Sequence, residues 1–267
     1  MADSLLDLIG RRLARYLGTE STGYEPYTPS DPETLRAVLQ PADVVLVEGN
    51  QRISAAIKYL TQSTWSHAAL YVGDRFGPAG TDVLIEVTVA DGCAAVPLAS
   101  YRNYNTRICR PIGLTDGDRR AVVDFMAASI GRRYDTRNLI DLARYLLPTP
   151  PVPVRWRRRM LALGSGDPTR AICSSLIAEA FGRIHYPILP LIETTEPAGT
   201  RPMSTYSRDE ILHIRHYSLY TPRDFDLSPF FRVVKPTIER GFDYKALTWA
   251  ADEEGAVAEG RGDPGEP

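Results

Sequence analysis

Short apolar runs bounded by Gly, Pro and Asp alternate along this chain with stretches whose apolar positions recur every three or four residues. Runs of roughly four to eight apolar residues between turn formers read as strands, and the longer helical spacing reads as helices buried on one face. Leu5, Leu6, Leu8, Ile9, Leu13, Tyr16 and Leu17 predict an amphipathic helix with Arg11, Arg12 and Arg15 on its polar side. A Gly/Pro/Thr/Tyr-rich connector follows over residues 18–31. A short helix over 32–39 is then capped by Asp31, with Pro32 at its first position. The pattern next predicts a strand at 43–47, a turn at Glu48-Gly49-Asn50, and a helix at 53–60 with Ile53, Ala56, Ile57 and Leu60 on one side. Strands follow at 67–72, 83–89 and 107–111, the last stopped by Pro111. Residues 116–130 read as a helix with Val122, Val123, Phe125, Met126 and Ile130 inward and Gly131 at its end.

The second half is less regular. Residues 139–147 are helical up to Pro148, residues 148–153 run extended, and 156–163 make one short helix before Gly164-Ser165-Gly166. A helix beginning near Cys173 comes next. Residues 186–202 are Pro-rich and irregular, and a last apolar piece covers 230–234. From residue 251 the chain is acidic, Gly-rich and aperiodic, the pattern of a disordered tail. No internal repeat is evident. The organisation expected is therefore an N-terminal helix and connector (1–37), one domain (38–250) with an insertion at about 136–168, and a tail (251–267).

Composition narrows the classes. With 267 residues, 43% hydrophobic and 24% charged, the chain can bury a full core, and its net charge of −2 gives no basic excess for binding nucleic acid. Three scattered cysteines (Cys93, Cys109, Cys173) form neither a disulfide framework nor a zinc spacing, and the chemistry read below needs no metal or organic cofactor. The odd count fits a reducing compartment. Residues 1–7 lack the basic start and apolar stretch of a signal peptide, and no run is long enough to span a membrane, so a cytoplasmic protein is expected. Two segments suit peripheral contact with the inner membrane: the helix within residues 1–17, and Arg155-Trp156-Arg157-Arg158-Arg159. Each also reads as an ordinary structural feature, an amphipathic core helix and a solvated charged face. Oligomeric state is not legible.

The chemistry concentrates in three side chains. Asp167-Pro168-Thr169 ends a turn and Ser174-Ser175-Leu176-Ile177 begins a helical period, so Cys173 stands in or beside a first helical turn. Unpaired N–H groups there favour a thiolate and can hold an oxyanion. A cysteine on an apolar helix is otherwise a core residue. His67 opens an apolar strand after Trp65-Ser66, where its ring can reach a site at the sheet edge, although imidazole also serves as a buried hydrogen-bonding group. His185, His213 and His216 fall in loop-like or late segments that suit surface or structural roles. Glu86 interrupts the apolar strand at 83–89, where a carboxylate is costly unless paired or wet. It can orient the imidazole if the strands are neighbours, or face water from an edge strand. Asp43, Asp91 and Asp135 are weaker alternatives, each explained by a turn or strand end.

Taken together, Pro41-Ala42-Asp43-Val44-Val45-Leu46-Val47, Trp65-Ser66-His67-Ala68-Ala69-Leu70-Tyr71-Val72-Gly73, Ile85-Glu86-Val87, Tyr134-Asp135 and Cys173-Ser174-Ser175-Leu176-Ile177 resemble a known pattern. With Ile53, Ile57 and Leu60-Thr61, they resemble the circularly permuted branch of the NlpC/P60 papain-like superfamily, and within it the YiiX/YaeF-type amidases, over roughly residues 38 to 235. The resemblance implies an α+β fold, a small antiparallel sheet or barrel packed on the helix that carries the nucleophile. It also implies a cysteine hydrolase, amidase or acyltransferase acting on a small amide or ester or an acyl-lipid. Cys173 is then the nucleophile, His67 the base and Glu86 the group that orients it. Peptidoglycan is the less expected substrate, because nothing here exports the protein. The long segment between Tyr134-Asp135 and Cys173, and the N-terminal helix, depart from the pattern and bear on the substrate. The rival expectation is a non-catalytic acyl- or lipid-binding protein at the membrane surface.

Overall fold

Strand β1, Val44–Val47, is apolar and buried at all of its positions, a pattern a strand shows when both faces of its sheet are covered. The computed structural model describes residues 19, 26, 31–74, 76, 81–88, 91–132, 172–195, 209–213 and 216–246. Within them β1 pairs with β2 (His67–Gly73), β2 with β3 (Val83–Thr88), and β3 with β4 (Gly92–Pro97). On its other side β1 pairs with β5 (Thr106–Pro111), which pairs with β8 (Phe231–Val234). Among the described residues every pairing is antiparallel, and the order β4-β3-β2-β1-β5-β8 places β4 and β8 at the edges of the sheet. The fold is α+β.

Side chains alternate across this sheet and feed two cores. Val44, Leu46, Ala68, Leu70, Ile85 and Cys109 face helices α3 (Asp116–Ala128) and α4 (Ile172–Arg183), meeting Val122, Met126, Ile177 and Phe181. Val45, Val47, Ala69, Tyr71, Leu84 and Ile108 face the opposite way. They are covered by Leu35 of α1 (Pro32–Arg36) and by Leu98 and Tyr101 of a 3-10 turn, Leu98–Tyr101. Each fully buried Leu, Ile or Phe contributes about 1.5–3 kcal/mol, so both layers are needed to hold the sheet.

Local chemistry sets the ends of the elements. The Asp31 carboxylate accepts the Thr34 N–H at 2.9 Å to start α1, and Thr115 and Asp118 form a reciprocal cap at the start of α3. Helix α2 (Arg52–Thr61) stops at Gln62, whose φ of 51° is left-handed. Asp43, fully buried, is held by Arg110 through two bonds of 2.9 and 2.7 Å and by the Gln40 N–H at 2.8 Å.

Several expectations are corrected. Helix α3 ends at Ala128, so Ile130, expected inward, is 42% exposed. Residues 186–202 contain a strand, β6 (Leu191–Thr195), which pairs antiparallel with β7 (Asp209–His213) in a separate two-stranded sheet. His213 therefore lies on a strand, and local apolar content missed it because β6 and β7 carry polar residues at most positions. Glu86 is on an interior strand, which removes the alternative of an edge residue facing water and leaves the preferred reading standing. Strand β4 went unread because Gly92-Cys93-Ala94-Ala95 lacks the β-branched residues that mark a strand. The helix within residues 1–17, the segment 133–171 with Asp135 and Arg155–Arg159, and the tail from 251 lie outside the described residues. The later helices are α5 (Pro222–Leu227) and α6 (Pro236–Glu239).

Candidate active site

The entry to β2 is held from both sides. Trp65 is buried and its Nε1 donates to Asp226 Oδ2 at 3.1 Å; Arg107 donates to the other oxygen of Asp226 at 2.6 Å and lies 4.9 Å over the indole. Ser66, also buried, accepts the Gly49 N–H at 2.9 Å, and its own N–H donates to the Val47 carbonyl at 3.1 Å. Gly49 has no room for a side chain, since a Cβ there would lie 2.3 Å from Ser54 Oγ and 2.9 Å from Ser66 Oγ. His67 follows directly, on a backbone that has little freedom to shift.

Its ring meets a carboxylate across the sheet. Ala69 pairs with Glu86, so His67 and Glu86 stand two positions apart on the same face, a diagonal reach for long side chains. His67 Nε2 and Glu86 Oε2 are 2.5 Å apart, with the two side chains 21% and 15% exposed. The ring also hydrogen-bonds the side chain of Cys173, and with Nε2 on the carboxylate, Nδ1 is the nitrogen left for sulfur. Cys173, 4% exposed, is the second residue of α4 and so lies in its first turn. The neighbouring Ser174 hydroxyl donates to the Tyr220 carbonyl at 2.7 Å, tying that turn to the segment before α5.

The two layers of the fold meet at this ring. Cys173 belongs to the core on the α3–α4 side, whereas Ala69 and Tyr71, which follow His67 on its face of β2, belong to the other. Standing at the strand end, the imidazole touches both. Burial pushes its pKa down most strongly. The charge and hydrogen bond of Cys173, joined by those of Glu86, outweigh this and raise it to about 10. Burial likewise pushes Glu86 up, but the bond and charge of His67 and a bond from Tyr101 hold it below the ordinary carboxylate value.

Tyr101 is a neighbour that sequence reasoning did not identify. It is 6% exposed, and its hydroxyl donates to Glu86 Oε2, the oxygen that also holds the ring. Burial, then the Glu86 charge and bond, push its phenol well above the ordinary value. No local signal marked it, because its position depends on the unread strand β4 that leads into the 3-10 turn.

The other candidates are engaged elsewhere. Asp43 pairs with Arg110, and Asp91 closes a turn with Thr88, accepting from its hydroxyl at 3.3 Å. Cys93 and Cys109 are buried free thiols that burial pushes up. His185 has a left-handed φ of 55° just after α4, and exposed His216 packs on Tyr217 with ring centroids 4.2 Å apart. Among the described residues, no group of three or more His, Cys, Asp or Glu side chains is placed to hold a metal ion. No helix among them is long and apolar enough to cross a membrane.

No family model matches this chain, and no curated protein does. Among solved structures, it is similar to the crystal structure of metalloprotein yiiX from Escherichia coli O157:H7, DUF1105, with a TM-score of 0.43 and 13% identity over 73% of this chain and 96% of that one.

Proposed function

We propose that this protein is a cysteine-dependent hydrolase or acyltransferase of permuted papain-like type, with Cys173 as nucleophile, His67 as base and Glu86 as the group that orients the ring. The observation that carries the reading is the His67 imidazole, bonded to Glu86 on one side and to Cys173 at the first turn of α4 on the other. That is a nucleophile, a base and an orienting carboxylate in one line.

The raised pKa of His67 supports a resting state in which the ring holds its proton between the Glu86 carboxylate and the Cys173 side chain. The thiolate attacks the carbonyl carbon of an amide or ester, forming the C–S bond while the π electrons move to oxygen. The positive end of α4 favours that oxyanion. Collapse breaks the C–N or C–O bond, and His67 delivers its proton to the leaving amine or alcohol. Water, or a second amine or alcohol, then attacks the thioester as His67 takes its proton. Carboxylic acid or transferred acyl product leaves, and Cys173 and His67 return to their starting state.

The test is alkylation of the full-length protein with iodoacetamide across pH, read at each cysteine by mass spectrometry. Cys173 is expected to react faster than Cys93 and Cys109 at neutral pH, and His67→Ala to slow it at least tenfold, a lower bound set under the roughly hundredfold or more that a positioned base contributes. If Cys173 reacts no faster than the other two and His67→Ala leaves its rate unchanged, the reading fails. The non-catalytic acyl-binding alternative is the one that outcome would favour. Acyl chemistry is read separately, by incubation with a panel of activated esters and a search for an acyl adduct on Cys173.

A further inference from the structure

We propose that Tyr101 is a positioning residue of this site: its phenol holds the Glu86 carboxylate in place, and through it the ring of His67. The inference rests on the reading of Cys173, His67 and Glu86 as a working set and adds a fourth member from the layer opposite Cys173.

Both Tyr101 and His67 bond the same oxygen, Oε2 of Glu86. A carboxylate held at one oxygen by two donors from different elements cannot swing without breaking both bonds. Tyr101 is itself well anchored. It ends the 3-10 turn whose first residue, Leu98, is buried and donates to the Asp82 carbonyl at 2.9 Å. Its ring meets Tyr104 edge-on, with centroids 6.0 Å apart. The cross-strand neighbours of Glu86 are Ala69 on β2 and Ala94 on β4, neither of which offers a donor from its side chain. Among the described residues, the titratable groups around the carboxylate are thus His67 from β2 and Tyr101 from the turn, with Cys173 of α4 beyond the ring and Tyr104 beyond the phenol. Tyr101 contributes to keeping Glu86 ionised, and an ionised Glu86 keeps the ring protonated opposite sulfur. Removing the phenol oxygen should let Glu86 take up its proton at a higher pH and disorder the ring.

The experiment is the pH profile of Cys173 alkylation by iodoacetamide in wild type, Tyr101→Phe, Glu86→Gln and the double variant. Tyr101→Phe is expected to slow alkylation about three- to tenfold near pH 6, the net scale of one hydrogen bond, and to move the acid limb to higher pH. The rates should converge in alkali, and the double variant should be no slower than Glu86→Gln alone. A general loosening of the fold would lower the rate at every pH and leave the limb in place. An alkylation profile of Tyr101→Phe that overlays the wild type would overturn the proposal, provided Cys173 is fast and dependent on His67. If Cys173 is not fast in the wild type, the underlying reading falls instead.

A second measurement does not depend on the stability of Tyr101→Phe. With tyrosine labelled at the carbon bearing the hydroxyl, NMR should show Tyr101 titrating at lower pH in Glu86→Gln than in wild type. An unmoved Tyr101 signal would equally overturn the proposal.

Discussion

His67 answers to three demands at once. Burial favours the neutral ring, while Cys173 and Glu86 favour the charged one, and together they win. Cys173 leads the upward influences, so Cys173→Ala should lower the ring pKa markedly even with Glu86 in place, a change that histidine NMR would follow directly. The same balance links folding to pH. A ring whose pKa is raised from 6.5 to about 10 contributes stability that is complete below 6.5 and is lost as pH rises through about 10. Glu86, lowered from 4.5, contributes stability present above that value and lost as acid protonates it. The stability advantage of wild type over His67→Gln, measured by urea unfolding, should therefore shrink steadily from pH 6.5 to pH 10. A constant difference across that range would mean that folding takes up no net proton at the ring and its partners.

At the scale of elements, the site depends on how tightly the start of β2 is seated. The turn after β1 brings the Gly49 backbone against Ser54 of α2 and Ser66 of the β2 entry, at distances that exclude a methyl group. Gly49→Ala should cost about 1–3 kcal/mol, as overpacking a filled site usually does. Because the nearest obstruction is the Ser54 hydroxyl, Ser54→Gly in the same chain should recover part of the loss. Thermal unfolding of the two single variants and the double variant would show that coupling as non-additivity. Losses that simply add would place the strain elsewhere. The elements carrying His67 and Glu86 were legible because β2 and β3 are apolar runs between turn formers. The strand before Tyr101 was not, since Gly92-Cys93-Ala94-Ala95 has little intrinsic strand character and is held by pairing with β3.

For the whole molecule, α4 must be held against the sheet for Cys173 to stay beside His67. The far end of the helix is fixed by an aromatic cluster. Phe231 on β8 meets Phe181 of α4 edge-on at 5.3 Å, Tyr186 at 5.6 Å and Phe225 of α5 at 5.5 Å. Phe231→Ala should cost about 3–5 kcal/mol, the range for emptying a large buried ring, and denaturant unfolding would measure it. A loss under about 1 kcal/mol would mean that the cluster collapses around the gap and anchors little.

The sequence by itself determined the strands β1, β2, β3 and β5, the helix α3, and the placing of Cys173 at a helix start, because these follow from apolar spacing, turn residues and caps that act over a few residues. It also singled out His67 and Glu86, as polar groups set in apolar strands. It could not decide which strands would be neighbours. The order β4-β3-β2-β1-β5-β8, and the register that sets Ala69 opposite Glu86, come from long-range pairing and from the closing of two cores on opposite faces. That tertiary arrangement made Glu86 a partner of His67 rather than a wet edge residue, assigned Asp43 to Arg110, and brought Tyr101 to the same carboxylate oxygen. The physical reason is distance along the chain: local chemistry shapes an element, whereas a site made of residues from β2, β3, a 3-10 turn and α4 exists only once the sheet has chosen its order.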